Sequence, residues 1–304
     1  MRRQQGISAA IVMGLVTLAP ARAGGQDDLI NQARRLDLAG KQDAAIAIYE
    51  QALQKAPNSF DAHYGIARAL DLAGRYEEAR QHFSKAIDLS PEETRDQALR
   101  MMGVSYAFVG DADAAAEYFQ QVFDRRIASS NFAGAAEVAN ELGRVFLELR
   151  DPESALTWYH TAYDAAARQA DRPPADVDLA ALRWAHAQAR IAAREGNGVE
   201  ARRQETAVKA LLDKGTNPDQ QIQYEYLLGY NAFYLKDYPR AIQALQKADQ
   251  EDPFILILLA QASEQTGQSQ RAREYYQKAF ASTSHAVNNA FARPLARRKL
   301  ATAR

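Results

Sequence analysis

Cysteine is absent from the 304 residues. Disulfide staples, thiolate metal sites, iron–sulfur ligation and cysteine nucleophiles are thereby excluded. Neither sign of charge is in excess: 37 Lys and Arg stand against 38 Asp and Glu, a formal charge of −1. That balance supplies no bulk pull toward nucleic acid. After the first twenty residues no apolar run reaches the ~20 residues that a membrane-spanning helix needs. Catalytic signatures are missing too. There is no H-E-x-x-H, no G-x-x-x-x-G-K-[ST] and no G-x-S-x-G. None of His63, His82, His160, His186 and His285 stands at metal-ligand spacing from another. Gly196-Asn197-Gly198 lacks the third glycine of a dinucleotide loop. The expectation is therefore no enzyme, no cofactor and no metal. A hydrophobic fraction of 47% with 25% charged residues still describes a chain that folds.

The N-terminus reads as a leader. Arg2 and Arg3 give a positive start, Ile7 to Ala19 an uncharged apolar run, and Ala21-Arg22-Ala23 a small-x-small cleavage pattern after Pro20. Residues 1–23 are thus expected to be a secretory signal peptide cleaved after Ala23, with export to a periplasm or beyond. Membrane anchorage is the plainer alternative, and the run is short for it.

Self-similarity organises the rest. Leu36-Asp37-Leu38-Ala39-Gly40 recurs letter for letter at Leu70-Asp71-Leu72-Ala73-Gly74, 34 residues on, and Pro57 and Pro91 keep the same offset. Pairs of small residues twelve apart occur at Ala33/Ala45, Ala67/Ala79, Gly103/Ala115, Gly143/Ala155, Ala189/Ala201, Gly229/Ala241 and Ala260/Ala272. Seven residues after each first member stand Gly40, Gly74, Gly110, Arg150, Gly196, Lys236 and Gly267. Sixteen after it stand Tyr49, Phe83, Phe119, Tyr159, Glu205, Leu245 and Tyr276. Small residues let two helices approach closely. The glycine suits a left-handed helix end, and the aromatic is expected to fill the space between one pair and the next. A proline closes the second helix.

A 34-residue unit with this pattern resembles the tetratricopeptide repeat, a helix–turn–helix unit. The resemblance runs over about residues 26–281 and implies an all-α fold: a right-handed α-solenoid of about seven repeats with a C-terminal capping helix. Three blocks are expected, 26–125, 126–215 and 216–281, divided near Arg172-Pro173-Pro174 and Lys214-Gly215-Thr216-Asn217-Pro218. The repeat near Leu182 departs most, with Glu205 in the aromatic place. Residues 282–304 read as a basic capping helix or tail. Its Arg293, Arg297, Arg298, Lys299 and Arg304 meet no acid after Glu274, which suits a solvated cap or a contact with an anionic partner.

The resemblance further implies that the first helix of each pair lines a concave, partner-binding surface. Helical offsets project onto it Arg34 and Asp37; Tyr64, Arg68 and Asp71; Arg144; Arg183, His186, Arg190 and Arg194; and Tyr226, Tyr230, Phe233 and Tyr234. Arginine and tyrosine dominate binding hot spots, and an arginine fork fits a carboxylate. The groove then suits a protein or extended peptide segment with acidic and aromatic residues. In the plainer alternative, Arg34/Asp37 and Arg68/Asp71 are intrahelical pairs and the tyrosines are core. Ile30 and Arg34 replace the Lys/Asn carboxylate clamp of chaperone-binding relatives. The expected function is a non-enzymatic exported scaffold for protein contacts. Membership of an envelope polysaccharide export machine, self-association and an enzyme stand as alternatives.

Overall fold

The computed structural model describes residues 24–302; the expected leader and Arg304 lie outside them. Helices follow one another in pairs: α1 (Gly24–Leu38) and α2 (Gln42–Lys55), α3 (Phe60–Ala73) and α4 (Tyr76–Leu89), α5 (Glu92–Val109) and α6 (Ala112–Ala128), α7 (Phe132–Glu148) and α8 (Pro152–Ala167). Then come α9 (Pro174–Arg194) and α10 (Gly198–Leu212), α11 (Gln221–Tyr234) and α12 (Tyr238–Leu245), and α13 (Pro253–Gln265) and α14 (Ser269–Ala281). A last helix, α15, spans Val287–Thr302, and no strand occurs among the described residues. The pairs stack into a solenoid in which successive odd-numbered helices touch one another (α1 with α3, α3 with α5, α9 with α11, α11 with α13) and so form its concave side.

The local causes are those in the repeat. Asp111, Asn131, Asp151, Asn197 and Asp237 each accept a hydrogen bond from a main-chain N–H in the first turn of the following helix. The turn inside each pair passes through the left-handed region, at Gly74 with φ 87° and Gly110 with φ 78°. Arg150 (φ 71°) and Lys236 (φ 66°) adopt it in the same place without being glycine, at a cost of roughly 1 kcal/mol each.

The paired small residues are buried throughout. They do more than allow approach. A Cβ added to Gly103 would lie 2.8 Å from the Phe119 ring, and one added to Gly143 3.0 Å from Tyr159. The residue sixteen positions on therefore lies across its own pair's first helix. The aromatic also meets the next pair, as expected: a Cβ on Gly65 of α3 would lie 2.6 Å from Cε1 of the Tyr49 ring of α2, and Arg190 of α9 reaches the Tyr159 hydroxyl.

Three expectations are corrected by packing. First, the arginines and aspartates of the first two repeats do not pair within a helix. Arg68 reaches Asp37 of the preceding pair at 3.9 Å and Arg34 reaches Asp61 of the following one at 3.7 Å, so the ladder runs between repeats. Second, Glu205 does not spoil its repeat. It is buried, and accepts from Asn231 at 2.9 Å and Arg240 at 3.5 Å, which satisfies the carboxylate where an aromatic would have packed. Third, α15 is neither a free basic tail nor a cap on one end alone. It packs on α13 and α14 and also crosses the concave side to α5 and α7. Arg293 is buried and donates to the carbonyls of Leu72, Phe280 and Ser282, Arg297 also reaches Leu72 O, and Lys299 meets Glu264 at 2.8 Å.

The two breaks in the middle are tied to each other. Asp178 accepts from Lys214 at 2.6 Å and from Thr216 at 3.0 Å, and Asn217 donates to Ala175 O at 3.0 Å.

Candidate functional site

Residues three to four and seven to eight apart share a helix face. On α7 that face carries Glu137, Asn140, Glu141, Arg144 and Glu148; on α9, Arg183, His186, Arg190 and Arg194; on α11, Gln223, Tyr226, Tyr230 and Tyr234. Because the solenoid curves, the three faces converge. Arg144 donates to the Tyr226 hydroxyl at 3.2 Å across 82 positions of chain.

Part of this wall is closed. Glu148 accepts from Tyr230 at 3.0 Å, Tyr234 at 3.4 Å and Arg194 at 3.1 Å. Arg194 also donates to Leu147 O and lies 4.3 Å from the Tyr234 ring centre. Burial, followed by the Glu148 carboxylate, raises the Tyr230 hydroxyl well above its ordinary pKa. Phe233 packs edge-on against Tyr234 and Tyr238.

The rest of the wall is open. Arg144, Arg183, His186, Arg190 and Tyr226 line a hollow of about 420 Å³. Two neighbouring hollows, of about 280 and 330 Å³, continue it toward Trp184 and toward Arg100, and Asn140 and Arg183 line all three. Arg190 is only 6% exposed and donates to the Tyr159 hydroxyl at 2.9 Å. The sequence projection thus brings five residues to one cavity and three, Arg194, Tyr230 and Tyr234, to the closed cluster beside it.

At the N-terminal end the projected residues have other partners. Tyr64 accepts from Gln97 at 2.9 Å. Asp71 is wholly buried between Ser105, at 3.0 Å, and His285, at 2.7 Å, the latter just before α15. Asp37 is buried as well, and burial raises its pKa. There the concave side is occupied by the protein's own C-terminal segment.

Projection from sequence missed Glu148 and Tyr159. Glu148 lies eleven residues after Glu137, three full turns on the same face. Tyr159 is the aromatic of its repeat, expected between pairs; what the spacing does not show is that its hydroxyl would meet Arg190 there.

Burial first, and then the Arg190 charge, hold His186 well below the usual histidine range; Arg144 of α7 adds to this, against a 3.4 Å contact with Gln223 O of α11. The unfolded chain therefore takes a proton below pH 6.5 that the folded chain refuses. The stability tied to this group is complete above pH 6.5 and falls with acidification, by up to about 1.4 kcal/mol per pH unit. Urea midpoints of His186→Gln should fall less steeply from pH 7 to 5 than those of the parent. Equal slopes would contradict the assignment.

A family model described as tetratricopeptide repeat matches residues 30–94, 100–173 and 226–286, more than half of the chain. The unmatched stretch between 173 and 226 contains the divergent repeat of Glu205. Among solved structures, the apo form of RapI is similar with a TM-score of 0.54 at 12% identity, covering 91% of this chain and 99% of that one. A tetratricopeptide repeat protein from Parabacteroides merdae gives 0.52 at 12% identity, covering 91% and 97%. Tetratricopeptide-like repeats of a putative kinesin light chain from Podospora anserina give 0.50 at 18%, covering 63% and 96%. No curated protein sequence matches.

Proposed function

Because the chain belongs to the tetratricopeptide repeat family, we propose that it is an exported, non-enzymatic scaffold whose concave wall holds an extended segment of a partner protein. The observation that carries this reading is the run of three hollows sharing Asn140 and Arg183 on α7 and α9. A preformed wall of this kind leaves the ordering of the partner as the main entropic cost of binding. Arg183 is half-buried and makes no hydrogen bond or ion pair with another described residue, so its donors are free for a ligand. The leader-like residues 1–23 support action outside the cytoplasm.

The test is photo-crosslinking in the native host. A crosslinking residue at position 183 or 140 should capture one envelope protein, Arg183→Glu should abolish capture at 140, and position 199 should capture nothing. Val199 is 75% exposed and does not line the hollows. Equal capture at 199, or none at 183 and 140, would overturn the reading.

A further inference from the structure

Arg144 and Arg190 present an electrostatic problem. Among the described residues each makes one hydrogen bond, to a neutral tyrosine hydroxyl, and neither has a carboxylate at ion-pair distance. The Nε atoms of both are buried and find no acceptor among the described residues. Arg190 lies within cation–π distance of Tyr159, at 5.2 Å, and Tyr230, at 5.8 Å; Arg144 lies 4.6 Å from the centre of Phe254. Rings soften a buried charge, but only modestly. Arg183 adds a third cation on the same cavity.

The nearby carboxylates are engaged elsewhere. Glu141 is held by Arg100 through two bonds of 2.5 and 3.0 Å and Glu148 by Arg194 and two tyrosines, while Asp252, whose charge also acts on Arg144, accepts from the Phe254 N–H at 2.8 Å and from Asn288. Burying a guanidinium without a counter-ion is strongly unfavourable. Three guanidinium groups facing one hollow, two with unmatched buried donors, make a site shaped for an anion.

We propose that this hollow binds an organic carboxylate between Arg144, Arg183 and Arg190, with an apolar or aromatic body lying against Tyr159, Leu182 and Tyr226. The proposal rests on the scaffold reading for its location and names the ligand chemistry that the scaffold selects. A volume of about 420 Å³ exceeds what a bare inorganic anion fills and falls within the usual small-ligand range. The Glu141 carboxylate in the same wall favours a monoanionic group over a phosphate dianion. His186, neutral at pH 7, contributes no charge there.

The carboxylate can come from a small free acid or from an acidic side chain of a bound segment. Calorimetry on the purified full-length chain separates the two sources. The probes are N-acetylphenylalanine, its amide, inorganic phosphate, and a Glu-Phe peptide blocked at both ends. Binding of the free acid with loss of affinity by about tenfold or more for the amide supports the proposal and a small-molecule source. Binding of the blocked peptide alone supports it with a side-chain source. Arg183→Gln should weaken either by a similar factor while leaving the melting temperature unchanged, because that side chain makes no internal bond; Arg190→Gln serves as the second variant if it folds. Equal binding of acid and amide, phosphate binding as tight as the acid's, or no binding of any probe would overturn the proposal. Partner capture at position 183 can succeed while these titrations fail, or the reverse, so the two readings fall separately.

Discussion

Replacing His285 by alanine should destabilise the protein by about 3–5 kcal/mol, the cost of breaking a buried pair from one side. His285 and Asp71 meet at 2.7 Å with side chains 1% and 0% exposed. The histidine ring lies between Phe83 and Phe108, both with ring centres at 5.5 Å. Burial raises the Asp71 pKa, opposed first by the hydrogen bond and charge of His285, then by the Ser105 hydrogen bond and the more distant Arg80 charge. Without His285, a carboxylate in this apolar setting keeps one hydrogen bond, from Ser105, and the more distant Arg80 charge. Replacing both partners by apolar residues removes the stranded charge, so Asp71→Leu/His285→Phe should lie well above the single alanine variant in urea midpoint. A loss below about 1 kcal/mol for His285→Ala would show that the pair contributes little.

The second large effect is expected at Gly229. A Cβ there would lie 2.6 Å from Leu245 Cδ2 and 3.0 Å from the Leu245 backbone nitrogen. A side chain at the far end of a flexible contact can move, but the backbone of α12 cannot move without disturbing the next pair. Gly229→Leu should therefore cost about 3 kcal/mol or more, at or beyond the upper end of ordinary overpacking. Leucine favours a helix over glycine by up to ~1 kcal/mol, which offsets only part of this. Ala210→Leu on the exposed face of α10 is the control, expected within about 0.5 kcal/mol of the parent. Comparable losses for the two variants in chemical denaturation would refute the close-approach argument.

What the amino-acid order makes legible is what depends on fixed internal spacing. The small-residue pairs, the left-handed turns and the aromatic sixteen positions on all describe contacts inside a repeat or between neighbours, and they locate every helix pair. The inner faces of α7, α9 and α11 were legible for the same reason, since periodicity decides which residues point inward. Which of those residues touch one another is set by superhelical curvature, and no local pattern encodes that. Arg144 with Tyr226, and Arg190 with Tyr159, are contacts of that kind. So is the placing of α15. Its arginines read as a solvated tail because their partners are main-chain carbonyls, which every sequence supplies and none advertises.

In an open array each unit feels only its neighbours, so the ends can fray while the middle holds. Here a residue 214 positions beyond Asp71 completes its surroundings. That closure, with those of Arg293 and Arg297 on Leu72, raises the mean sequence separation of contacts, which slows folding. It also means that an emerging polypeptide holds Asp71 half-solvated until the segment around His285 has been synthesised. Fraying of the C-terminal segment then strips the second and third pairs of a partner as well, so loss at that end is felt well inside the array.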